Sequence, residues 1–248
     1  MDIELRSQIL GFLDKGPAFL PGLSIDCVVF GYHEGELRVL LLDIRHTPYF
    51  SLPGGFIYQE ESIDEAALRI LNERAGLQDV YLEQFRVFGQ AGRGNYRIHR
   101  EMLAAYGIEP DPGHWLLQRF VSIGYYALVD YTKVKPSPDI FSVSCDWHPL
   151  EELPELILDH RNIIHHALGS LRLMLDHKLS GFNLLPETFT MADLQGVYEA
   201  ILGKKLQRTN FQRKMLSLGI LERLDKKWTG GAHKAPYLYR FDAQKEEE

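Results

Sequence analysis

The stretch GFIYQEESIDEAALRILNERAGL, residues 55–77, decides the fold of this chain. Its centre, Ile63 to Ala75, is predicted to be a helix, because Ser62 stands at the N-cap with Glu65 three residues on and Gly76 follows as a C-terminal stop. Apolar residues at helical spacing predict one face against a sheet, and acidic and basic residues spaced by four share the other. The first set is Ile63, Ala66, Ala67, Ile70 and Leu71, and the second is Glu65, Arg69 and Glu73.

Three segments around this helix predict strands of a mixed sheet, because they are rich in β-branched and aromatic residues and bounded by Gly, Pro or Asp. They are SIDCVVFGY (24–32), ELRVLLLDIR (36–45) and FVSIGYYALVDY (120–131). A short amphipathic helix is expected at Glu4 to Leu13. Residues 90–115 look like an insertion of turns and a short helix, whose His99 and arginines 93, 97 and 100 we expect on the solvated surface.

The C-terminal part predicts a winged helix-turn-helix. A helical pattern from Asp159 to Lys178 leads into SGFNLLPETFT (180–190), where we place the domain break. Thr190 is expected to cap a helix over 191–202, and Thr209 a second over 210–218. ILERL (220–224) and YLYRF (237–241) then predict two strands around a basic loop.

Charge divides along the chain. Residues 203–241 hold ten Lys and Arg against Glu222 and Asp225, a net +8, whereas the whole chain carries −7 and its remainder therefore −15. A compact basic end on an acidic body is typical of a phosphate-contacting module joined to a domain with another ligand. The alternative is a solvated basic face.

Composition excludes several classes of protein. The 248 residues are 45% hydrophobic, enough for one large domain or two modest ones. No apolar stretch is long enough to span a membrane and the N-terminus lacks the features of a signal peptide, so we expect a cytoplasmic protein without a membrane partner. Cys27 and Cys145 have no metal-ligand spacing and are expected to be buried.

Residues 55–77 resemble the Nudix box, in which Gly, Glu, and an Arg-Glu-apolar-any-Glu-Glu-any-Gly-apolar segment are separated by five and seven residues. Gly55, Glu61, Arg69, Glu73 and Gly76 match, as do Leu71 and Leu77, but Ile70 and Arg74 replace two family glutamates. The resemblance implies metal-assisted diphosphate hydrolysis, which needs clustered carboxylates. Since a cation stands where a ligand belongs, we expect no catalytic residue, no metal site, no cofactor and no enzyme activity.

The C-terminal half resembles the DNA-binding domain of Nudix-related transcriptional regulators, a family with ADP-ribose-sensing repressors of NAD biosynthesis and regulators of pentose use. The resemblance implies an α+β chain, with a Nudix-like α/β/α sandwich with a mixed sheet followed by the winged helix-turn-helix. The expected limits are an N-terminal arm or helix (1–20), the effector domain (21–158), a connecting helix and linker (159–185), the DNA-binding domain (186–242) and a tail (243–248).

Two sets of site residues follow from this resemblance. The effector, of the pentose or the ADP-ribose class, is expected to contact Arg45, His46, Phe56, Glu61, Arg69 and Glu73. The alternative for Glu61, Arg69 and Glu73 is a set of salt bridges without a ligand. A homodimer is expected to bind a double-stranded DNA operator, most simply as a repressor, through Lys204, Lys205, Arg208, Thr209, Asn210, Gln212, Arg213, Lys214, Lys226, Lys227 and Lys234.

Two other functions remain open at this point. One is an active Nudix hydrolase of a nucleoside diphosphate derivative with an accessory nucleic-acid-binding domain. The other is a nucleic-acid-binding module whose first domain only mediates dimerisation.

Overall fold

A computed structural model describes residues 3–91, 93, 96–178, 184–226 and 235–242. Its helices are α1 (Ile3–Leu13), α2 (Ile63–Ala75), α3 (Tyr96–Ala104), α4 (His160–Lys178), α5 (Met191–Leu202) and α6 (Arg208–Ser217). Its strands are β1 (Phe19–His33), β2 (Glu36–Ile44), β3 (Phe50–Ser51), β4 (Gly54–Tyr58), β5 (Glu83–Phe88), β6 (Val121–Asp130), β7 (Ser142–Pro149), β8 (Phe189–Thr190), β9 (Leu221–Lys226) and β10 (Tyr237–Phe241).

The long strand β1 organises a mixed sheet of order β3-β2-β1-β6-β5. β6 runs parallel to β1 from Leu23 to Tyr32, whereas β2 and β4 pair with β1 in antiparallel fashion on its other edge. β7 lies antiparallel to β2. The three strands expected from sequence are therefore confirmed, and the sheet also contains β3, β4, β5 and β7.

Helices cover both faces of this sheet. Alternate residues of β1 point to opposite sides, so Ile25, Cys27 and Val29 enter the core under α2, and Val28 and Phe30 enter the core under α4. The second core continues from α4 into α5 and α6 without interruption. The chain is thus an α+β structure. Because one core continues across the expected boundary, the domain limits given above stay a prediction.

Helix α2 has the ends that its sequence predicts. Ser62 and Glu65 form a reciprocal capping box, and Gly76 ends the helix with a left-handed φ of 68°. The apolar stripe is buried as expected, except that Ile63 is exposed. Because both ends are fixed locally, the side chains of α2 that face the sheet edge are held in one register.

The C-terminal region contains α5, α6 and a three-stranded sheet of order β8-β10-β9. Thr190 caps α5 as expected and forms a capping box with Asp193. The expected Thr209 cap is wrong. Helix α6 begins at Arg208 with Gln207 as its N-cap, and no side chain caps it, so Thr209 lies in its first turn. The linker 179–183 and the tail 243–248 lie outside the described residues.

Helix α1 and the insertion pack together. Ile9 and Leu13 of α1 share a core with Leu103, Tyr106 and Leu116 of the insertion and the segment after it. Phe56 of β4 packs against this core, so both segments are part of the sheet domain. Both cysteines are buried and unpaired. Among the described residues, every helix is too short or too polar to span a bilayer.

Candidate functional site

A cavity of about 260 Å³ lies at one edge of the main sheet, between α2 and the start of α4. Strands β1 and β4 form its floor, and α1 and α3 contribute to its walls. Gly54 makes the floor possible, because a Cβ there would stand 2.6 Å from an Asp26 carboxylate oxygen. The site is therefore built by segments far apart in the chain.

One wall of the cavity is aromatic. Phe19 stacks on Tyr58 with ring centroids 4.8 Å apart, and Phe56 lies 5.5 Å from Phe19 and 5.0 Å from Phe120. Phe12 of α1 closes the group at 6.2 Å from Phe19. Such a wall offers a planar ring both apolar surface and favourable ring contacts.

Arg69 joins the box residues into one ion-pair cluster. Its guanidinium bonds both carboxylate oxygens of Glu61 at 2.9 and 2.5 Å, Glu73 at 2.9 Å and the Phe56 carbonyl at 2.8 Å. Burial opposes ionisation of Glu61, but hydrogen bonds from Arg69 and the Tyr58 N–H outweigh it, so the pKa of Glu61 is lowered. Glu61, Arg69 and Glu73 therefore form the salt bridges that the alternative interpretation expects. Arg69 and Glu73 also line the cavity.

The two substituted box positions are both occupied by packed side chains. Ile70 is 1% exposed and packs against Gly55, and Arg74 pairs with Asp139 and lies over the Phe141 ring. Burial lowers the pKa of Arg74 to about 10, so it remains a cation at neutral pH. With Glu61 and Glu73 both held by Arg69, these residues do not fit a divalent cation. Among the described residues no three ligating side chains converge.

A buried polar network closes the α4 end of the cavity. Arg93 donates to Asp26 at 2.9 Å and to both oxygens of Asp159 at 2.8 and 2.9 Å, while Ser122 donates to Asp26 at 2.5 Å. The expectation of a solvated Arg93 is wrong, because its side chain is only 4% exposed. Arg97 and Arg100 are exposed as expected.

Two histidines face this same end. His160 accepts the Leu52 N–H at Nδ1, 2.9 Å away, which leaves its proton on Nε2, 3.5 Å from Asp26. Burial lowers the pKa of His160, and burial also lowers the pKa of His99, to about 4. Both rings are neutral at physiological pH. His99 lines the cavity, so its expected place on the solvated surface is also wrong.

The cavity gathers only part of the expected effector set. Phe56, Arg69 and Glu73 line it, and Glu61 lies behind Arg69. Arg45 instead donates to the Ser142 carbonyl, and His46 packs on Tyr106, so neither is in the lining. Their role in effector binding stays a prediction. The sequence analysis did not place five of the lining residues in a site: Lys15, Phe19, Arg93, His99 and His160. For Arg93 and His99 the available signal was a basic or histidine residue within an insertion that had no other explanation.

Helix α6 presents a polar face beside the basic end of the chain. Phe211 and Met215 anchor it in the core, while Arg208, Thr209, Asn210 and Arg213 are exposed. Asn210 bonds Gln207 and accepts from Arg213 at 3.3 Å. Arginine with asparagine on one exposed helix face suits base edges in a major groove.

The expected phosphate-contacting lysines differ in their surroundings. Lys204 is exposed, Lys205 pairs with Glu199 at 2.9 Å, and Lys214 pairs with Asp176 of α4 at 2.6 Å. Lys226 lies 5.2 Å from the centre of the Tyr237 ring. Lys227 and Lys234 lie outside the described residues.

Comparison with known proteins matches both parts of the chain. The NUDIX domain model matches residues 20–167, and the model described as NrtR DNA-binding winged helix domain matches residues 181–241. The "ADPR responsive transcriptional repressor NtrR" of Acinetobacter baylyi is 30% identical over 231 residues, which cover 90% of this chain and 83% of that protein.

Two solved structures match about nine-tenths of the chain. The crystal structure of Shewanella oneidensis NrtR is 28% identical, with a TM-score of 0.65 over 91% of this chain and 96% of that one. The same protein in complex with a 27mer DNA is 27% identical, with a TM-score of 0.62 over 89% and 93%.

Proposed function

The chain belongs to the NrtR family of transcriptional regulators, and we propose that it represses transcription by binding a DNA operator and that it dissociates from the operator when ADP-ribose binds in the cavity. It combines a Nudix domain with a DNA-binding winged helix domain. The observation that carries the proposal is that one chain combines this cavity with the exposed polar face of α6, and that 90% of the chain aligns with a repressor named for its response to ADPR.

The cavity supports ADP-ribose over a free pentose. Its wall of Phe12, Phe19, Phe56 and Tyr58 offers a surface for adenine that a pentose would leave unfilled. Lys15 is exposed on the lining and brings a cation for the diphosphate. Arg69 is less suited to that role, because two carboxylates already share its charge.

We further propose that the Nudix domain is not a hydrolase. Ile70 and Arg74 take two carboxylate positions, and the two glutamates that remain are bonded to Arg69. A metal would have to displace that guanidinium and then bind beside Arg74, which is paired with Asp139 and supplies no ligand at the position of a family carboxylate. The family alone does not exclude activity, so incubation of the chain with ADP-ribose and Mg²⁺ is the direct check, and release of AMP would favour the hydrolase alternative.

Helix α4 supports a route from the cavity to the DNA-binding face. At its start, Asp159 bonds Arg93 and His160 faces Asp26, so a ligand that moves this network moves the helix end. Near its other end Asp176 bonds Lys214 of α6, and Arg172 donates to the Ile201 carbonyl of α5 at 2.8 Å. One rigid helix therefore touches the cavity and both helices of the winged domain.

The proposal includes a homodimer in the cytoplasm with the domain limits given above. A palindromic operator needs two winged domains at a fixed spacing, so an effector can weaken binding by changing that spacing. Arg208, Thr209, Asn210, Gln212 and Arg213 would read or border bases, and the lysines would contact phosphates.

The test is fluorescence anisotropy of labelled DNA from the gene's own upstream region, titrated with the full chain at two salt concentrations. Binding that exceeds binding to random DNA and weakens at the higher salt concentration supports the proposal. Binding no tighter than to random DNA, at both salt concentrations, refutes the regulator and returns the hydrolase as the better account.

A further inference from the structure

Three buried polar atoms of residues that line the cavity have no hydrogen-bond partner among the described residues. One is Arg74 Nε, whose guanidinium is already paired with Asp139. The other two are Ser51 Oγ and His99 Nδ1, and Ser51 is only 3% exposed. A buried hydroxyl without a partner is destabilising, and native proteins keep few of them. Unsatisfied atoms that face a cavity are therefore candidates for bonds to a ligand.

Both atoms belong to residues of one cavity lining, which also includes His160. Ser51 directly precedes Leu52, whose N–H is bonded to His160. Asp26 and Arg93 complete the surroundings. This end is thus a polar pocket opposite the aromatic wall of Phe12, Phe19, Phe56 and Tyr58.

The chemistry of this end fits a neutral ligand group. His99 carries no charge at physiological pH because burial lowers its pKa to about 4. The guanidinium of Arg93 is already bonded to the carboxylates of Asp26 and Asp159. Arg74 is likewise paired with Asp139, so a phosphate would meet cations that are already bonded to carboxylates and would face Asp26. A hydroxyl both donates and accepts, which matches a serine and a neutral imidazole.

We propose that Ser51 and His99 form a subsite for the vicinal hydroxyls of a sugar, which in ADP-ribose are those of the terminal ribose. The identity of the whole ligand rests on the proposed function, whereas the sugar subsite itself rests on these two atoms. Adenine then occupies the aromatic end. Ser51 and His99 determine specificity, because ADP fills the aromatic end and leaves their bonds unmade.

Calorimetric titration of the full chain with ADP-ribose and with ADP tests this assignment. Ser51→Ala and His99→Phe are each expected to weaken ADP-ribose binding by about three- to tenfold, the range for one lost neutral hydrogen bond, and to leave ADP binding unchanged. Ser122→Ala is the matched control, since Ser122 is also buried but its hydroxyl is bonded to Asp26. Without ligand, the melting temperature should fall for Ser122→Ala and hold or rise for Ser51→Ala.

The outcomes separate this inference from the proposed function. Equal losses for ADP-ribose and ADP, or no loss for either, would overturn the subsite while leaving ADP-ribose as the effector. If the wild-type chain binds neither nucleotide, the proposed effector is wrong, and titration with millimolar D-ribose then decides the subsite. Binding of D-ribose that both variants abolish supports it, and no binding of D-ribose overturns it.

Discussion

Substitution of Arg93 by Met tests the buried network that joins the cavity to α4. The change removes three hydrogen bonds and leaves the Asp26 carboxylate, whose side chain is 9% exposed, with the Ser122 hydroxyl and neutral His160. Breaking a buried ion pair from one side costs about 3–5 kcal/mol. Because the side chain of Asp159 is 28% exposed and can be solvated, we expect the lower end, about 3 kcal/mol.

For a chain of this length that loss lowers the melting temperature by roughly 6–12 °C, at about 2–4 °C per kcal/mol. Thermal unfolding followed by circular dichroism measures it. Arg97→Met is the matched control, because the Arg97 side chain is 78% exposed and its ion pair with Glu101 lies on the surface, so its shift should stay below about 2 °C. Combined with Asp26→Asn, the Arg93→Met loss should be non-additive by at least about 1 kcal/mol.

The reasoning is refuted if Arg93→Met melts within 2 °C of the wild-type chain, as Arg97→Met is expected to do. That result would mean that Arg93 is solvated, as the sequence analysis expects, and that its ion pairs do not link α4 to the cavity.

Four further predictions concern the box and the winged domain. Glu61→Gln should lower the free energy of unfolding at pH 7 by about 1–2 kcal/mol. Because the pKa of Glu61 is lowered in the folded chain, the difference from wild type should shrink when denaturation is repeated from pH 5 down to 3. A difference that stays constant over this pH range would contradict the prediction. Lys204→Met should reduce the salt dependence of DNA binding, by about one unit of slope, with stability unchanged. Lys214→Met should instead lower the melting temperature, because Lys214 holds α6 to Asp176; equal melting of both lysine variants would refute this difference. Arg208→Ala should weaken operator binding by about 1–3 kcal/mol in anisotropy titrations, more than it weakens binding to random DNA.

The sequence predicts the parts of this fold whose signals are local. The capping box at Ser62, the N-cap at Thr190 and the apolar run of β1 need only their neighbours, and all three are present. Strands β5 and β7 lack such a signal, because they alternate buried and exposed positions irregularly and leave Val87 and Val143 in solvent. The Thr209 cap failed because the helix begins before Thr209, at Arg208, with Gln207 as an N-cap that makes no side-chain bond, so no capping side chain marks the true start.

The site residues that belong to the box could be predicted from the sequence, whereas those that belong to the insertion could not. Arg69 and Glu73 sit on α2 at a spacing that the sequence displays. Arg93 and His99 reach the cavity only because the insertion folds across the sheet edge, to partners such as Asp26, 67 residues away in sequence. A single sequence gives no measure of such a contact, so a buried arginine in a polar loop resembles a solvated one.

The most direct test of the account is the dissociation constant of the operator complex measured with and without saturating ADP-ribose. The account predicts that ADP-ribose raises it at least about tenfold, a coupling of about 1.4 kcal/mol, and that arabinose and xylose leave it unchanged. An unchanged constant, under conditions where calorimetry shows ADP-ribose bound to the same protein, would contradict the coupling of the cavity to the DNA-binding face.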